Sequence, residues 1–236
     1  MHLENLMLID IETVSQFPTY QNLPLRWQQL WADKVKHYLP EEETAESFYP
    51  KRAAILAEFG KIICISIGYF KNTAQGYQLR IKSFAAADEK VLLMNFIDAV
   101  SQWKSIKKEM SFCGHNVKEF DMPYICRRML VNGLKIPYYL DFQNMKPWET
   151  NITDTMHLWK FGDVKNFITL NLLAACLGIE SPKDDIDGSM VGEVYWKENN
   201  LVRIVEYCQK DVVTVGQIML KMNGLELLED AYITFA

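Results

Sequence analysis

Acidic side chains fall at three places along the chain where they could do metal chemistry together: Asp10 and Glu12 in Asp10-Ile11-Glu12-Thr13, Asp121 at the end of Asn116-Val117-Lys118-Glu119-Phe120-Asp121, and Asp211 in Tyr207-Cys208-Gln209-Lys210-Asp211. Carboxylates gathered within a few ångströms repel one another and lose their ionisation unless a cation sits among them, so such a cluster points to bound metal. Oxygen-only ligands suit Mg2+ or Mn2+ rather than Zn2+ or Cu2+. A pair of such ions supplies a hydroxide nucleophile and stabilises a leaving oxygen, which is the chemistry of phosphodiester hydrolysis.

Three elements must position these groups. Residues 6–11 form a short apolar run with the character of a buried strand, and strand alternation puts Asp10 and Glu12 on one face. Pro123 is tolerated only in the first turn of a helix, so a helix is expected to begin near Asp121 or Met122. That placement gives Asp121 a second reading as a helix cap, and Asn116 a second reading as a turn or cap residue. The third element is a helix with Leu201, Ile204, Val205, Cys208, Val212, Val215 and Met219 at helical spacing. Tyr207 and Asp211, four apart, share a face beside that apolar stripe. Taken singly, Tyr207 reads as a core-edge tyrosine and Asp211 as a solvated helix acid; their order and context, strand then helix start then helix, carry the functional reading.

Around these elements the pattern is α/β. Strands are expected at 61–70 and 77–83, joined as a hairpin by a turn at 72–76, with a further short strand at 111–114. A helix is expected over 88–103 with Val91, Leu92, Phe96 and Val100 inward, and others over 154–160, 169–177 and 200–222. The order predicts a mixed sheet flanked by helices. From about residue 14 to 59 the chain is punctuated by Pro18, Pro24, Pro40 and Pro50. Between them Trp27, Leu30, Trp31 and Val35 recur at helical spacing, so this segment reads as a helical insertion in a single domain spanning 1–236.

The motifs, together with Glu58-Phe59-Gly60-Lys61-Ile62, Gly114-His115-Asn116 with Phe120-Asp121, and Asp187-Gly188-Ser189, resemble the DEDD exonucleases of the ribonuclease-H-like fold. The resemblance is to the subgroup whose third motif carries tyrosine, since the histidine subgroup would need His where this chain has Glu206. More specifically, nearly the whole chain is similar to the predicted 3′→5′ exonucleases related to the exonuclease domain of family B DNA polymerases. The resemblance implies that Asp10 bridges two divalent cations, Mg2+ or Mn2+. It also implies that Glu12 and Asp211 hold the ion that binds the attacking water, and that Asp121 reaches the other directly or through water. Tyr207 is implied to position the water, because a phenol is a poor base at neutral pH. Thr13, Asn116 and Phe120 are implied contacts of the terminal nucleotide, with Phe120 also readable as core. The implied reaction releases nucleoside 5′-monophosphates from single-stranded 3′ ends. DNA is the expected substrate, although no base-reading pattern separates it from RNA.

Composition sets the remaining bounds. The chain has 236 residues, 49% hydrophobic and 23% charged, enough for one packed domain. No apolar run reaches the ~18 residues of a membrane span, the N-terminus lacks a basic leader, and five cysteines without a Cys-x-x-Cys pair suggest reduced, packed thiols; the expectation is a cytoplasmic protein. A net charge of −5 argues against a nucleic-acid coating protein but not against an enzyme that holds a few nucleotides through metal. A reading from a different class is a non-catalytic nucleic-acid-binding module that keeps the fold and docks a polymerase or repair partner. Asp185-Ile186-Asp187-Gly188 lacks the acids a calcium loop needs at its first and last positions and reads as a surface turn. Asn151-Ile152-Thr153 is a sequon without use in a cytoplasmic chain. Of the four histidines only His115 is expected near the site. Asp154 is expected as a structural or supporting acid, and Trp148 and Trp159 as core.

Overall fold

The computed structural model describes residues 2–146, 148–165, 167–180 and 186–236. The described strands are β1 Leu6–Ser15, β2 Gly60–Thr73, β3 Gly76–Ala85, β4 Ser111–Gly114, β5 Ile152–Asp154 and β6 Ile233–Phe235, joined in one sheet of order β5-β4-β1-β2-β3-β6. β1, β2 and β3 run antiparallel to their sequence neighbours, whereas β4 pairs parallel with β1, β5 with β4, and β6 with β3. The helices are α1 Leu25–Val35, α2 Ala45–Arg52, α3 Glu89–Ile106, α4 Asp121–Val131, α5 Thr155–Lys160, α6 Leu170–Cys176, the single turn α7 Val191–Glu193 and α8 Leu201–Met222. A π-helical turn, Val194–Glu198, follows α7.

Helix starts are set by side-chain caps. Asp88, Asp154, Thr169 and Asn200 each accept backbone N–H bonds from the first turns of α3, α5, α6 and α8, satisfying donors that have no partner inside a helix. Strand alternation then sorts the core. Met7, Ile9 and Ile11 face α3 and α4, while Leu6, Leu8 and Val14 face α8. α8 lies close on the sheet because Gly68 has no side chain; a Cβ there would come within 2.8 Å of Val212.

Several sequence expectations give way. Val91 is 46% exposed, because Asp88 starts α3 so that Leu92, Leu93 and Phe96 turn inward instead. Trp148 is 76% exposed rather than core, while Trp159 packs with Met156 and Leu173 as expected. Cys176 is exposed, on the outer face of α6. The calcium-like loop lies partly outside the described residues, since Asp185 is one of those not described.

Between β1 and β2, helices α1 and α2 close over an aromatic cluster. Trp31 and Tyr49 are fully buried, with Trp31 5.1 Å from the Phe59 ring. Trp27 and Leu30, at the same helical spacing, remain partly exposed. This segment is bolted to α4: Tyr124 Oη donates to Ala54 O at 2.7 Å, and Arg128 Nη1 donates to Ala57 O at 2.9 Å. Arg128 in turn forks onto Glu89 from Nε (2.9 and 3.2 Å) and Nη2 (2.6 Å), and Glu89 also accepts the Ile62 N–H at 2.7 Å. One buried ion pair thus fixes α3, α4 and the start of β2 together. Among the described residues, no helix is long and apolar enough to cross a membrane.

Candidate active site

β1 delivers Asp10 and Glu12 to the face under α8, as alternation requires. Opposite them the β1–β2 register slips, with Glu12 facing Cys64 and Thr13 facing Ile62, so Ile63 is an extra residue in β2. Such a bulge twists the strands locally and re-aims side chains, and it leaves both Ile63 and Cys64 packed toward α8. From α8 the Cys208 Sγ lies 3.3 Å from Asp10 Oδ2 and 3.5 Å from Asp10 O. Ligand-capable atoms of Asp10, Glu12 and Cys208 all fall within 4.8 Å of one another. Tyr207 packs at the edge of the cluster formed by Val14, Cys64 and Cys208.

Asp121 arrives from the other side of the sheet. β4 pairs with β1 only as far as Leu8, and α4 begins at Asp121 itself. Its Oδ1 accepts the Ile11 N–H at 3.1 Å, between the two β1 acids. The helix-cap reading of Asp121 is therefore set aside: Phe120 occupies the N-cap, and the Asp121 carboxylate serves β1. The crevice so formed lies beyond the carboxyl end of β4, the usual place for ligands in such sheets. Gly114 permits it, since a Cβ there would meet Ile9 O at 2.8 Å.

The four acids are electrostatically one group. Burial pushes Asp10 and Glu12 well above the usual carboxylate range, and Asp211 is the strongest charge raising each of them further, with Asp121 adding to both. Burial also raises Asp121 to about 7, against the pull of its own backbone N–H and that of Ile11, while Asp154 and Asp211 push it up. Glu12 and Asp121 are 7% and 4% exposed, and Asp10 is partly exposed. Crowded, desolvated carboxylate oxygens of this kind fit a hard divalent cation, which relieves the repulsion that raises their pKa values.

The supporting groups separate cleanly from the acids. Asp154 accepts N–H bonds from Asn116 (3.0 Å) and Lys118 (3.1 Å) as well as capping α5, so it is the clamp on the loop that leads to Asp121. Asn116 sits in that loop at φ 59°, a left-handed turn position that asparagine tolerates. His115 is engaged on both nitrogens, Nδ1 with Thr155 Oγ1 and Nε2 with Ile168 O, each at 2.9 Å, so it braces the loop; burial lowers its pKa. Thr13 and Phe120 each meet Tyr124, Thr13 at its hydroxyl and Phe120 at its ring, 5.4 Å between centroids. Cys208 is the neighbour that sequence reasoning placed only in an apolar stripe; its position between Tyr207 and Asp211 was the available signal. The roughly 500 Å3 cavity on the outer side of α4, lined by Met122, Cys126, Arg127 and Leu130, is separate from the carboxylates.

Comparison with known proteins bears on the family and the fold. Residues 55–232, about three quarters of the chain, match the family described as "Predicted 3'-5' exonuclease related to the exonuclease domain of PolB", a segment that starts after Asp10 and Glu12. A search of curated proteins returned no match. Among solved structures, the family B DNA polymerase from the hyperthermophilic archaeon Pyrobaculum calidifontis superposes with a TM-score of 0.55 at 16% identity, over 92% of this chain. The chain spans 24% of that polymerase's length, and at this identity the likeness speaks for the fold, a ribonuclease-H-like mixed sheet flanked by helices. The chain belongs to the family of predicted 3′→5′ exonucleases related to the exonuclease domain of PolB.

Proposed function

We propose that this chain is a single-domain, metal-dependent 3′→5′ exonuclease of the tyrosine subgroup, acting on single-stranded nucleic acid, DNA rather than RNA, and releasing nucleoside 5′-monophosphates. The observation that carries the proposal is the meeting of acids from three separate elements, β1, α4 and α8, each of which raises another's pKa. When bound, two Mg2+ or Mn2+ ions would supply the activated water and stabilise the departing 3′-oxygen. Asp10, Glu12, Asp121 and Asp211 would hold them. Tyr207 would orient the attacking water through its hydroxyl. Thr13 and Phe120, each against Tyr124, wall the terminal nucleotide, and Asn116 borders it from the loop that Asp154 holds. The α1–α2 segment between β1 and β2 is an insertion that buttresses this wall through Ala54 and Ala57.

The test uses 5′-labelled single-stranded DNA and RNA with Mg2+ or Mn2+. A ladder of shortened products, absent in Asp10→Ala and blocked by a 3′-terminal phosphate, is the expected result. No shortening with either metal, or a ladder that persists in Asp10→Ala, overturns it.

A further inference from the structure

Lys61 stands on the same sheet face as Asp10 and Glu12. It pairs across the sheet with Val14, two residues beyond Glu12, and cross-strand partners share a face. Its backbone therefore lies about 7 Å along the sheet and one strand spacing, about 5 Å, across from Glu12. The ammonium is held at a defined place: Nζ is 4.9 Å from the centroids of both the Tyr195 and Trp196 rings and donates to Tyr195 Oη at 3.1 Å. Those rings come from the π-helical turn before α8, and they pack in the cluster that contains Tyr207, Cys64 and Cys208.

Two features make this more than packing. Among the described residues, Lys61 has no carboxylate within ion-pair distance, in a chain of net charge −5 whose nearby groove is lined with acids. A lysine without an ion-pair partner on the face that carries Asp10 and Glu12, yet already ordered by two aromatic faces, has its charge available to an incoming anion and has lost its rotamer freedom beforehand. Trp196 also keeps a buried Nε1–H without any hydrogen-bond partner. Native structures tolerate such an orphan where another demand fixes the ring, here its face under Lys61.

Resting on the exonuclease reading, we infer that Lys61, bracketed by Tyr195 and Trp196, is a subsite for the backbone phosphate next to the scissile one, on the upstream side of the substrate. Its backbone offset from Glu12 is on the order of one nucleotide of extended backbone. The subsite takes any phosphodiester chain and reads no base.

The experiment compares two substrates. Oligo(dT) carries the neighbouring phosphate; thymidine 5′-(4-nitrophenyl phosphate) has a single phosphodiester and cannot reach Lys61. In Lys61→Met the ratio of kcat/KM for the oligonucleotide to that for the nitrophenyl ester falls about tenfold, and Lys61→Arg restores most of it. In parallel, binding of fluorescein-labelled oligo(dT) is followed by anisotropy across a KCl series, in EDTA, so that hydrolysis is not needed. The slope of log K against log salt becomes shallower by about 0.7 in Lys61→Met, the value for one contact on a single strand. An unchanged ratio, an equal loss on both substrates, or an unchanged salt slope overturns the inference while leaving the exonuclease reading intact. A wild-type protein that cleaves neither substrate sinks the exonuclease reading, and the salt slope still decides the phosphate contact.

Discussion

Replacing Asp10 with asparagine should stabilise the metal-free protein while destroying the site. The Asp10 and Glu12 oxygens lie within 4.8 Å. At an effective dielectric of about 20, two charges at that distance repel by about 3 kcal/mol. Asp211 and Asp121 add to the repulsion, and burial adds to it again. Proton uptake caps the cost, because a carboxylate with a raised pKa neutralises instead of bearing full repulsion. At pH 8 in EDTA the relief in Asp10→Asn is about 2 kcal/mol, which for a chain of this size raises Tm by about 4–8 °C. Asparagine keeps a carbonyl oxygen to accept the Cys208 thiol, so that donor is not orphaned. The pH dependence has a definite sign. Asp121 is raised to about 7, so folding favours its protonated form. Wild-type stability in EDTA therefore increases as pH falls from about 7 toward the ordinary aspartate range and is lost as pH rises through 7. Asp10 and Glu12, raised in the same direction, act likewise. Mn2+ reverses the order of the two proteins: at 100 times its dissociation constant it adds about 2.7 kcal/mol to wild type and little to Asp10→Asn. The measurement is thermal unfolding of both proteins at pH 6 and 8, in EDTA and in Mn2+. An Asp10→Asn protein that melts at or below wild type in EDTA at pH 8, or one that Mn2+ stabilises as much as wild type, refutes the picture of a repulsive cluster awaiting a cation.

Cys208→Ala removes the thiol that donates to Asp10 Oδ2, and with it the orientation of that carboxylate; Mn2+ affinity read by electron paramagnetic resonance should fall about 10–100-fold, with Cys208→Ser much closer to wild type. An alanine variant that binds Mn2+ as tightly as wild type would show that Asp10 is oriented by other contacts. Arg128→Met leaves Glu89 buried with its charge uncompensated and should cost about 3–5 kcal/mol in urea unfolding, most of it recovered in the Arg128→Met/Glu89→Leu double variant. A single variant as stable as wild type would mean that Ile62 and Asn132 satisfy Glu89 without the arginine.

What was legible in the sequence follows the range of the forces involved. Asp10 and Glu12 share a face because alternation is a property of one strand, and Tyr207 and Asp211 share one because i and i+4 stack on one helix; neither needs knowledge of the rest of the chain. Capping is equally local, and α5, α6 and α8 begin within a residue of the expected 154, 169 and 200, each behind a capping Asp, Thr or Asn. Non-local contacts were illegible. The parallel strands β5 and β6 are three residues each, too short to carry a periodic signal, and exist because β4 and β3 offer open edges. The β2 bulge at Ile63 leaves no compositional trace. Cys208 looked apolar because a thiol packs like a small hydrophobe, and only the approach of α8 to β1 reveals its donor role.

Asp121 shows most directly how an ambiguous residue acquires a role from its surroundings. Pro123 fixes where α4 starts, and that alone makes Asp121 a good cap. What diverts the carboxylate is a strand that stops early: β4 pairs with β1 only through Leu8, which leaves the Ile11 N–H facing a gap in the sheet. A buried N–H must find an acceptor, and Asp121 Oδ1 is the one that fills the place a longer β4 would have occupied. The Asp121 carboxylate is thereby committed to backbone N–H groups, its own and that of Ile11 between Asp10 and Glu12. The same gap that opens the crevice therefore also recruits the third acid beside Asp10 and Glu12.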